Sequence, residues 1–313
     1  MVNDLVLLAG TAHPELAGKI SAYIGVPLAN MEVWKFANDN TFCKINENIR
    51  KRDVFVIQPT CRPVNDTIME LLIIMDACKR ASADSITAVV PYYGYARSDK
   101  KDQPRVPITA KLVADIISEA GADRIICMDL HAEAIQGFFN IPVDHLYSMP
   151  IFIEYLKDHD PRNMVIVSPD AGGVARARAY AKRLGADLAI IDKRRVGNND
   201  NAEVLHVIGE VKDKSCVLVD DIIDTAGSIT KAAAILMDRG ARKVRALAAH
   251  AELSDPARER LLKSAISEVV VADTIPIPPD KMIDKIKVLS VAPILGETIK
   301  RIHKGDSVSS LFV

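Results

Sequence analysis

Cys216-Val217-Leu218-Val219-Asp220-Asp221-Ile222-Ile223-Asp224-Thr225-Ala226-Gly227-Ser228-Ile229-Thr230 is the stretch that decides the fold of this 313-residue chain. Its first four residues are an uninterrupted apolar run, the pattern of a strand buried on both faces of a parallel sheet. Two adjacent carboxylates, Asp220 and Asp221, follow, and then the small-residue turn Asp224 to Ser228. A helix is expected next, because Ile229, Ala232, Ala233, Leu236 and Met237 share one face and Gly240 supplies a stop. Strand, polar turn and helix N-terminus bring unpaired backbone N–H groups and the positive end of a helix dipole to one spot, which is an anion site. The hydroxyls of Thr225 and Ser228, with no bulky side chain between them, let main chain and side chain wrap a phosphate together. A P-loop is a poor match, since no lysine of the Walker type is present. Asp220 and Asp221 are placed to accept hydrogen bonds from vicinal sugar hydroxyls, so the stretch reads as a site for a ribose phosphate. An isolated turn of this composition is also compatible with an ordinary strand-to-helix connection capped by Asp or Ser.

Hydrophobic residues make up 49% of the chain and the net charge is −1, enough apolar content for a large core in two domains and no basic excess for a nucleic-acid surface. No apolar stretch reaches the roughly 18 residues of a membrane span. The opening MVNDLVLLAG lacks a basic region followed by a cleavable apolar one, so a cytoplasmic location and no membrane partner are expected. Cys43, Cys61, Cys78, Cys127 and Cys216 are odd in number and far apart, which predicts reduced core residues rather than a zinc site or a disulfide framework.

Apolar runs alternate with helical patterns along the whole chain, the signature of βαβ units and a parallel sheet. Strands are expected at Asp4 to Gly10, Asp53 to Gln58, Ile86 to Val90, Arg124 to Asp129, Met164 to Val167, Leu188 to Ile191, Val244 to Ala249, Val269 to Ala272 and Lys287 to Ser290. Helices are expected at His13 to Gly25, Asp66 to Arg80, Thr109 to Ala120 and Pro150 to Lys157, through Lys182, and through Arg301, with a hairpin over Glu32 to Asn46. The connection Pro91 to Arg105 is long and charged for a strand-to-helix link, which suggests function, although a solvated loop has the same composition. Val196 to Asn201 is poor in apolar residues and is expected to be mobile. The halves echo one another: SEAGADRIICMDLH matches MDRGARKVRALAAH, and AVVPYYGYARSD and VIVSPDAGGVAR are expected to occupy corresponding places, so duplicated α/β domains are the economical reading.

Four segments in order, YARSDKKDQPR, MDLHAEAIQGFF, VSPDAGGVARA with the following DKRR, and VLVDDIIDTAGSIT, resemble the class I ribose-phosphate pyrophosphokinases, and the resemblance covers nearly the whole chain. It implies an α/β fold of two similar phosphoribosyltransferase-like domains, each a mainly parallel sheet flanked by helices. Residues 1–146, joined by the tail 296–313, would form one, and 147–295 the other, carrying the ribose 5-phosphate loop. The implied reaction moves the diphosphoryl group of ATP to the C1 hydroxyl of ribose 5-phosphate, with Mg²⁺ as cofactor. Lys193 and Arg195 resemble the catalytic-loop pair, two cations on a lid that closes over the transferring group. Asp220 and Asp221 would take the ribose hydroxyls or a second Mg²⁺, and Asp224, Thr225, Ala226, Gly227 and Ser228 the 5-phosphate. Phe36, Asn38, Asn40, Arg97, Ser98, Lys100 and His131 would bind ATP, and His131 and Asp170 the Mg²⁺ on its phosphates. A homo-oligomer is implied, a hexamer built from dimers, with the Phe36 segment reaching a neighbour's ATP site.

Residue types alone also allow Lys193 and Arg195 to be a surface basic cluster and His131 a structural residue, imidazole being an unusual Mg²⁺ ligand. Departures from the family gather at the base-reading segment, where Phe-Ser-Asp-Gly-Glu is usual and Phe36-Ala37-Asn38-Asp39-Asn40 stands here. An amide can donate where a carboxylate only accepts, so weaker or broader nucleotide choice is expected. Ser98 replaces a common Gln, Ala226 a common Gly or Cys, Ser228 a common Thr, and Asp255 a usual Gly, the last putting a family-like effector site in doubt. A nucleobase phosphoribosyltransferase, a non-catalytic regulatory homologue and a sugar-phosphate-binding regulator are the competing readings. The first needs neither the N-terminal half nor the Lys193 and Arg195 segment, the second tends to lose loop residues that are present here, and the third would want a DNA-binding module.

Overall fold

The computed structural model describes residues 5–195 and 203–311, with the backbone alone at 193–195 and 203–205. The chain divides into two compact units, Met1–Tyr147 with Thr274–Pro276 and Ser290–Val313, and Ser148–Asp273 with Ile277–Leu289.

In the first unit β1 (Leu5–Ala9), β4 (Asp53–Ile57), β5 (Ser85–Val90), β6 (Arg124–Met128) and β7 (Val143–Leu146) lie parallel, in that order across the sheet. The antiparallel hairpin β2 (Met31–Lys35) and β3 (Thr41–Ile45) stands apart as its own ribbon. Val54, Val56, Ala88 and Ile125 turn one face of the parallel sheet toward Leu71, Ile74 and Met75 of α2 (Val64–Arg80) and Val113 and Ile117 of α3 (Thr109–Glu119). Strand alternation sends Leu7, Phe55 and Ile126 to the other face, where they are also buried. Apolar residues on both sides explain why these strands read as continuous runs rather than as an alternation. α1 (Pro14–Ile24) starts at a His13 cap and stops at Gly25, whose φ of 80° no side chain favours, and it packs against α8 (Ala292–Lys304).

The second unit holds α4 (Met149–Leu156), β8 (Met164–Ser168), α5 (Val174–Leu184), β9 (Asp187–Arg195), β10 (Glu203–Ile208), β11 (Ser215–Ile223), α6 (Gly227–Asp238), β12 (Lys243–Ala251), α7 (Ala257–Lys263), β13 (Ile266–Ala272) and β14 (Ile286–Leu289). Its seven strands run in the order β10-β9-β8-β11-β12-β13-β14, parallel except for β10 against β9. β11 is central: Cys216 and Leu218 face the cluster built by Ile229, Ala233 and Leu236 of α6. The expected α/β class with two mainly parallel sheets flanked by helices is the architecture found.

Four expectations need correction. Asp220 and Asp221 do not follow the strand but lie within β11, opposite Ala248 in the ladder at Asp220, because parallel pairing with β12 continues through them. β9 does not end at Ile191: it runs on through Lys193, opposite Leu205, to Arg195, opposite Glu203, so the two cations stand on a strand end that β10 pairs. A charged run has little strand signal of its own, and the ladder bonds supply what propensity lacks. α7 was not expected, being a helix of seven residues with too few turns to show a period. The second half of the internal echo does not hold, since β5 lies beside β6 whereas β8 is separated from β12 by β11. The segment expected to be mobile, 196–201, lies outside the described residues.

Candidate active site

Ligands in open α/β sheets gather beyond the carboxyl ends of the strands, and the chemistry-bearing residues stand there in both units. In the second unit Asp220 is partly exposed and Asp221 buried at the end of β11. The backbone N–H of Asp221 donates to Asp220 Oδ1 at 2.9 Å. Arg176, in the first turn of α5, sets Nη1 3.2 Å from Asp221 Oδ1 and 3.5 Å from Asp220 Oδ1. One guanidinium thus serves two carboxyl groups. Burial pushes the Asp220 carboxyl up to about 8, Asp221 adds to the rise, and Arg176 opposes it. A pair so arranged binds hydroxyl donors or a cation more readily than it stays ionised alone.

After Ile223 the chain turns through Asp224 and Thr225 to Ala226, which caps α6 in the left-handed region at φ 58°, ψ 10°. Its N-cap residue, an alanine, makes no side-chain capping bond, so the start of α6 offers backbone N–H groups to a ligand. Thr225 and Ser228 are exposed at the rim, while Ile229 is buried beneath. Thr230 Oγ1 donates to the Ala226 carbonyl at 2.7 Å and tightens the first turn from inside. From α7, Arg260 Nη1 donates to the Thr225 carbonyl at 3.0 Å. At the end of β8, Asp170 Oδ1 accepts from Gly173 N–H at 3.1 Å, and Ser168 Oγ donates to the Asp170 carbonyl at 2.6 Å. A Cβ on Gly173 would stand 2.8 Å from Ser168 Oγ, which is why this turn takes glycine. A cavity of about 320 Å³ lined by Asn163, Ser215 and Arg245 opens at the opposite, N-terminal ends of these strands and contains none of these residues.

In the first unit β5 leads into Tyr93, whose hydroxyl donates to the Ala110 carbonyl at 2.8 Å, and Gly94, whose N–H donates to Thr60 Oγ1 at 2.7 Å. These bonds anchor the root of the charged connection. Beyond it Arg97 and Lys100 are exposed and Ser98 is half-buried, its carbonyl taking the N–H of Ala110 at 3.2 Å. His131 is exposed two residues past Asp129, which is buried with a φ of 41°. His145 of β7 accepts from Leu130 N–H at 3.0 Å and so fixes the backbone that presents His131. The hairpin tip Phe36 to Asn40 is exposed. Asn38 Oδ1 accepts from Asn40 N–H at 3.3 Å, and Phe36 lies against Phe42 with ring centroids 5.6 Å apart. Lys35 Nζ, 2.8 Å from Asp66 Oδ2, ties the tip to α2.

The acid pair, the turn and Asp170 are therefore gathered on one sheet edge of the second unit, and Arg97, Ser98, Lys100, His131 and the hairpin belong to the first. The side chains of Lys193 and Arg195 lie outside what is described. Arg176 and Arg260 were missed in the sequence because a basic residue on an amphipathic helix looks solvated until its partner is known. The only signal was position, Arg176 falling one turn past the Asp170 loop.

A family model described as the N-terminal domain of ribose phosphate pyrophosphokinase matches residues 5–121, and one described as the phosphoribosyl synthetase-associated domain matches 198–313. A ribose-phosphate pyrophosphokinase of Caldanaerobacter subterraneus is 55% identical over 311 residues, 99% of this chain and 98% of that one. One of Wolinella succinogenes is 53% identical over 307 residues, 98% of each chain. The crystal structure of phosphoribosylpyrophosphate synthetase from Mycobacterium smegmatis superposes with a TM-score of 0.91 at 44% identity, over 96% of this chain and 99% of that one. With the strand-turn-helix site and its acid pair in place, likeness of this extent means that the chain belongs to the ribose-phosphate pyrophosphokinase family.

Proposed function

We propose that this protein is a class I ribose-phosphate diphosphokinase. It transfers the diphosphoryl group of ATP to the C1 hydroxyl of ribose 5-phosphate, giving 5-phosphoribosyl 1-diphosphate and AMP. The observation that carries this reading is the uncapped start of α6 beside the Asp220 and Asp221 pair, which offers amide donors to a phosphate and carboxylates to a diol at one sheet edge. In the reaction a bond forms between O1 of the sugar and the β-phosphorus of ATP. The bridge from the α-phosphorus breaks, its oxygen leaves on AMP, and the C1 hydroxyl gives up its proton. Such a transfer asks the protein mainly to align two reactants and neutralise charge.

The turn from Asp224 to Ser228 holds the 5-phosphate, with Ala226 and Gly227 keeping the amide approach open. Asp220 and Asp221 hold the ribose hydroxyls. Lys193 and Arg195 stabilise charge on the transferring group, a role supported by their place in the DKRR run after β8 and α5. Arg97, Ser98, Lys100 and His131 grip ATP, and Phe36, Asn38 and Asn40 read its base. Mg²⁺ characteristically takes one or two carboxylates and fills its shell with substrate phosphates. Among the described residues no group of three or more His, Cys, Asp or Glu forms a cage for a metal. Asp170 beyond β8 and Asp220 and Asp221 at the end of β11 offer carboxylate oxygens, the hard donors that Mg²⁺ takes, so they suit an ion shared with phosphates. Asp170, assisted by His131, would hold it, and when bound it would screen the triphosphate. No helix among the described residues is long and apolar enough to cross a membrane. A cytoplasmic hexamer built from dimers, each subunit of two domains that exchange near residue 147, completes the reading.

The test is release of AMP from ATP, Mg²⁺ and ribose 5-phosphate, beside GTP and beside Lys193→Ala. Turnover that needs ribose 5-phosphate and falls about a hundredfold or more in the variant is expected. With Asn38 and Asn40 at the base-reading tip, preference for ATP over GTP should stay below about a thousandfold. Folded protein that binds ribose 5-phosphate yet releases no AMP would instead be a regulatory homologue.

A further inference from the structure

We propose that Arg260 is a positioning residue of the ribose 5-phosphate site, holding the phosphate turn in its binding shape from outside the strand-turn-helix stretch. This rests on the reading that the turn takes the 5-phosphate. Thr225 C=O and Ala226 N–H belong to one planar trans peptide, so they point in opposite directions. By donating to that carbonyl at 3.0 Å, Arg260 Nη1 holds it toward α7, so the Ala226 N–H of the same peptide points away from α7 at the start of α6. The conformation so fixed is not one the turn prefers. Ala226 sits at φ 58°, a region that disfavours any residue with a Cβ, and an unrestrained peptide would relax from it.

Arg260 also lies close over the first residue of α6. Gly227 has no positive φ, yet a Cβ there would lie 3.1 Å from Arg260 Nη1, so the guanidinium packs directly over this glycine and a side chain there would push it by a few tenths of an ångström. The helix that carries Arg260 is anchored by Ala257 and Leu261, both fully buried, and packs on α6. At its far end Lys285 Nζ donates to the carbonyls of Leu261, Leu262 and Ser264 at 3.1, 3.3 and 3.0 Å. Arg260 is thus presented from a fixed base, although its own side chain is exposed and adds little to folding.

The experiment measures KM for ribose 5-phosphate and for ATP, kcat and Tm in Arg260→Ala, Arg260→Lys, Arg258→Ala and Ser228→Ala. Arg258 is exposed on the same helix and removes the same charge. Loss of a charge-assisted bond that shapes the site should raise KM for ribose 5-phosphate about tenfold to a hundredfold in Arg260→Ala. KM for ATP and kcat should stay within about threefold and Tm within about 3 °C, Arg260→Lys should recover part of the loss, and Arg258→Ala should match the wild type. A KM for ribose 5-phosphate unchanged in Arg260→Ala, an equal rise for ATP, or the same rise in Arg258→Ala would overturn the assignment. Ser228→Ala separates the two readings. If it raises KM for ribose 5-phosphate while Arg260→Ala does not, only the positioning role fails; if neither variant moves it, the turn does not hold the 5-phosphate.

Discussion

Asp220 is a carboxyl that the fold holds above its ordinary range, up to about 8, because burial penalises its charge and Asp221 adds to that penalty. The consequence for stability has a definite sign. Between the ordinary carboxyl range and that raised value the folded chain keeps a proton that the unfolded chain has lost, so this group's contribution to stability falls as pH rises through the window. Ligand-free protein without Mg²⁺ should therefore lose Tm between about pH 5 and pH 8, and Asp220→Asn should flatten that part of the slope. An identical slope in the variant would mean that other groups set it. Asp220 and Asp221 were legible in the sequence as an acid pair. Arg176 was not, because the contact of 3.2 Å that makes it part of the site joins residues 45 apart.

The charged connection after β5 is shaped at its root rather than along its length. Gly94 lies so close to the preceding connection that a Cβ would stand 2.5 Å from the Thr60 carbonyl oxygen, a backbone atom that cannot swing aside. Gly94→Ala should cost about 1–3 kcal/mol in urea unfolding and, by shifting the loop, raise KM for ATP more than KM for ribose 5-phosphate. β9 makes the complementary point. An apolar run predicts its first half, whereas its second half through Lys193 exists because Glu203–Ile208 comes back antiparallel and completes its hydrogen bonds. A seven-residue α7 is decided in the same way, by Ala257 and Leu261 finding a place in the core of the second unit.

At the scale of the whole molecule the chain leaves its first unit at Tyr147, touches it again at Thr274–Pro276 and rejoins it from Ser290, so that α8 (Ala292–Lys304) closes a unit whose last strand ended at Leu146. Leu295 and Ile299 are fully buried there, Gly296 fits against the Tyr23 ring, and His303 Nδ1 lies 2.8 Å from Asp53 Oδ2 at the start of β4. Leu295→Ala should cost about 2–5 kcal/mol, and hydrogen exchange should quicken in β1 and β4 before it does in β11 and β12, although residue 295 is closer in sequence to the latter. Equal quickening in both sheets would deny that α8 belongs to the first. By itself the sequence determined the α/β class, the order of nearly all strands and helices, and the strand-turn-helix stretch with its acid pair, because each of these depends on neighbours a few residues apart, through periodicity, turn chemistry and helix dipoles. Tertiary structure alone decided where the carboxylates sit in the ladder, how far β9 extends, and which arginines reach the acid pair and the turn, because these depend on hydrogen bonds and burial between segments that only folding brings together.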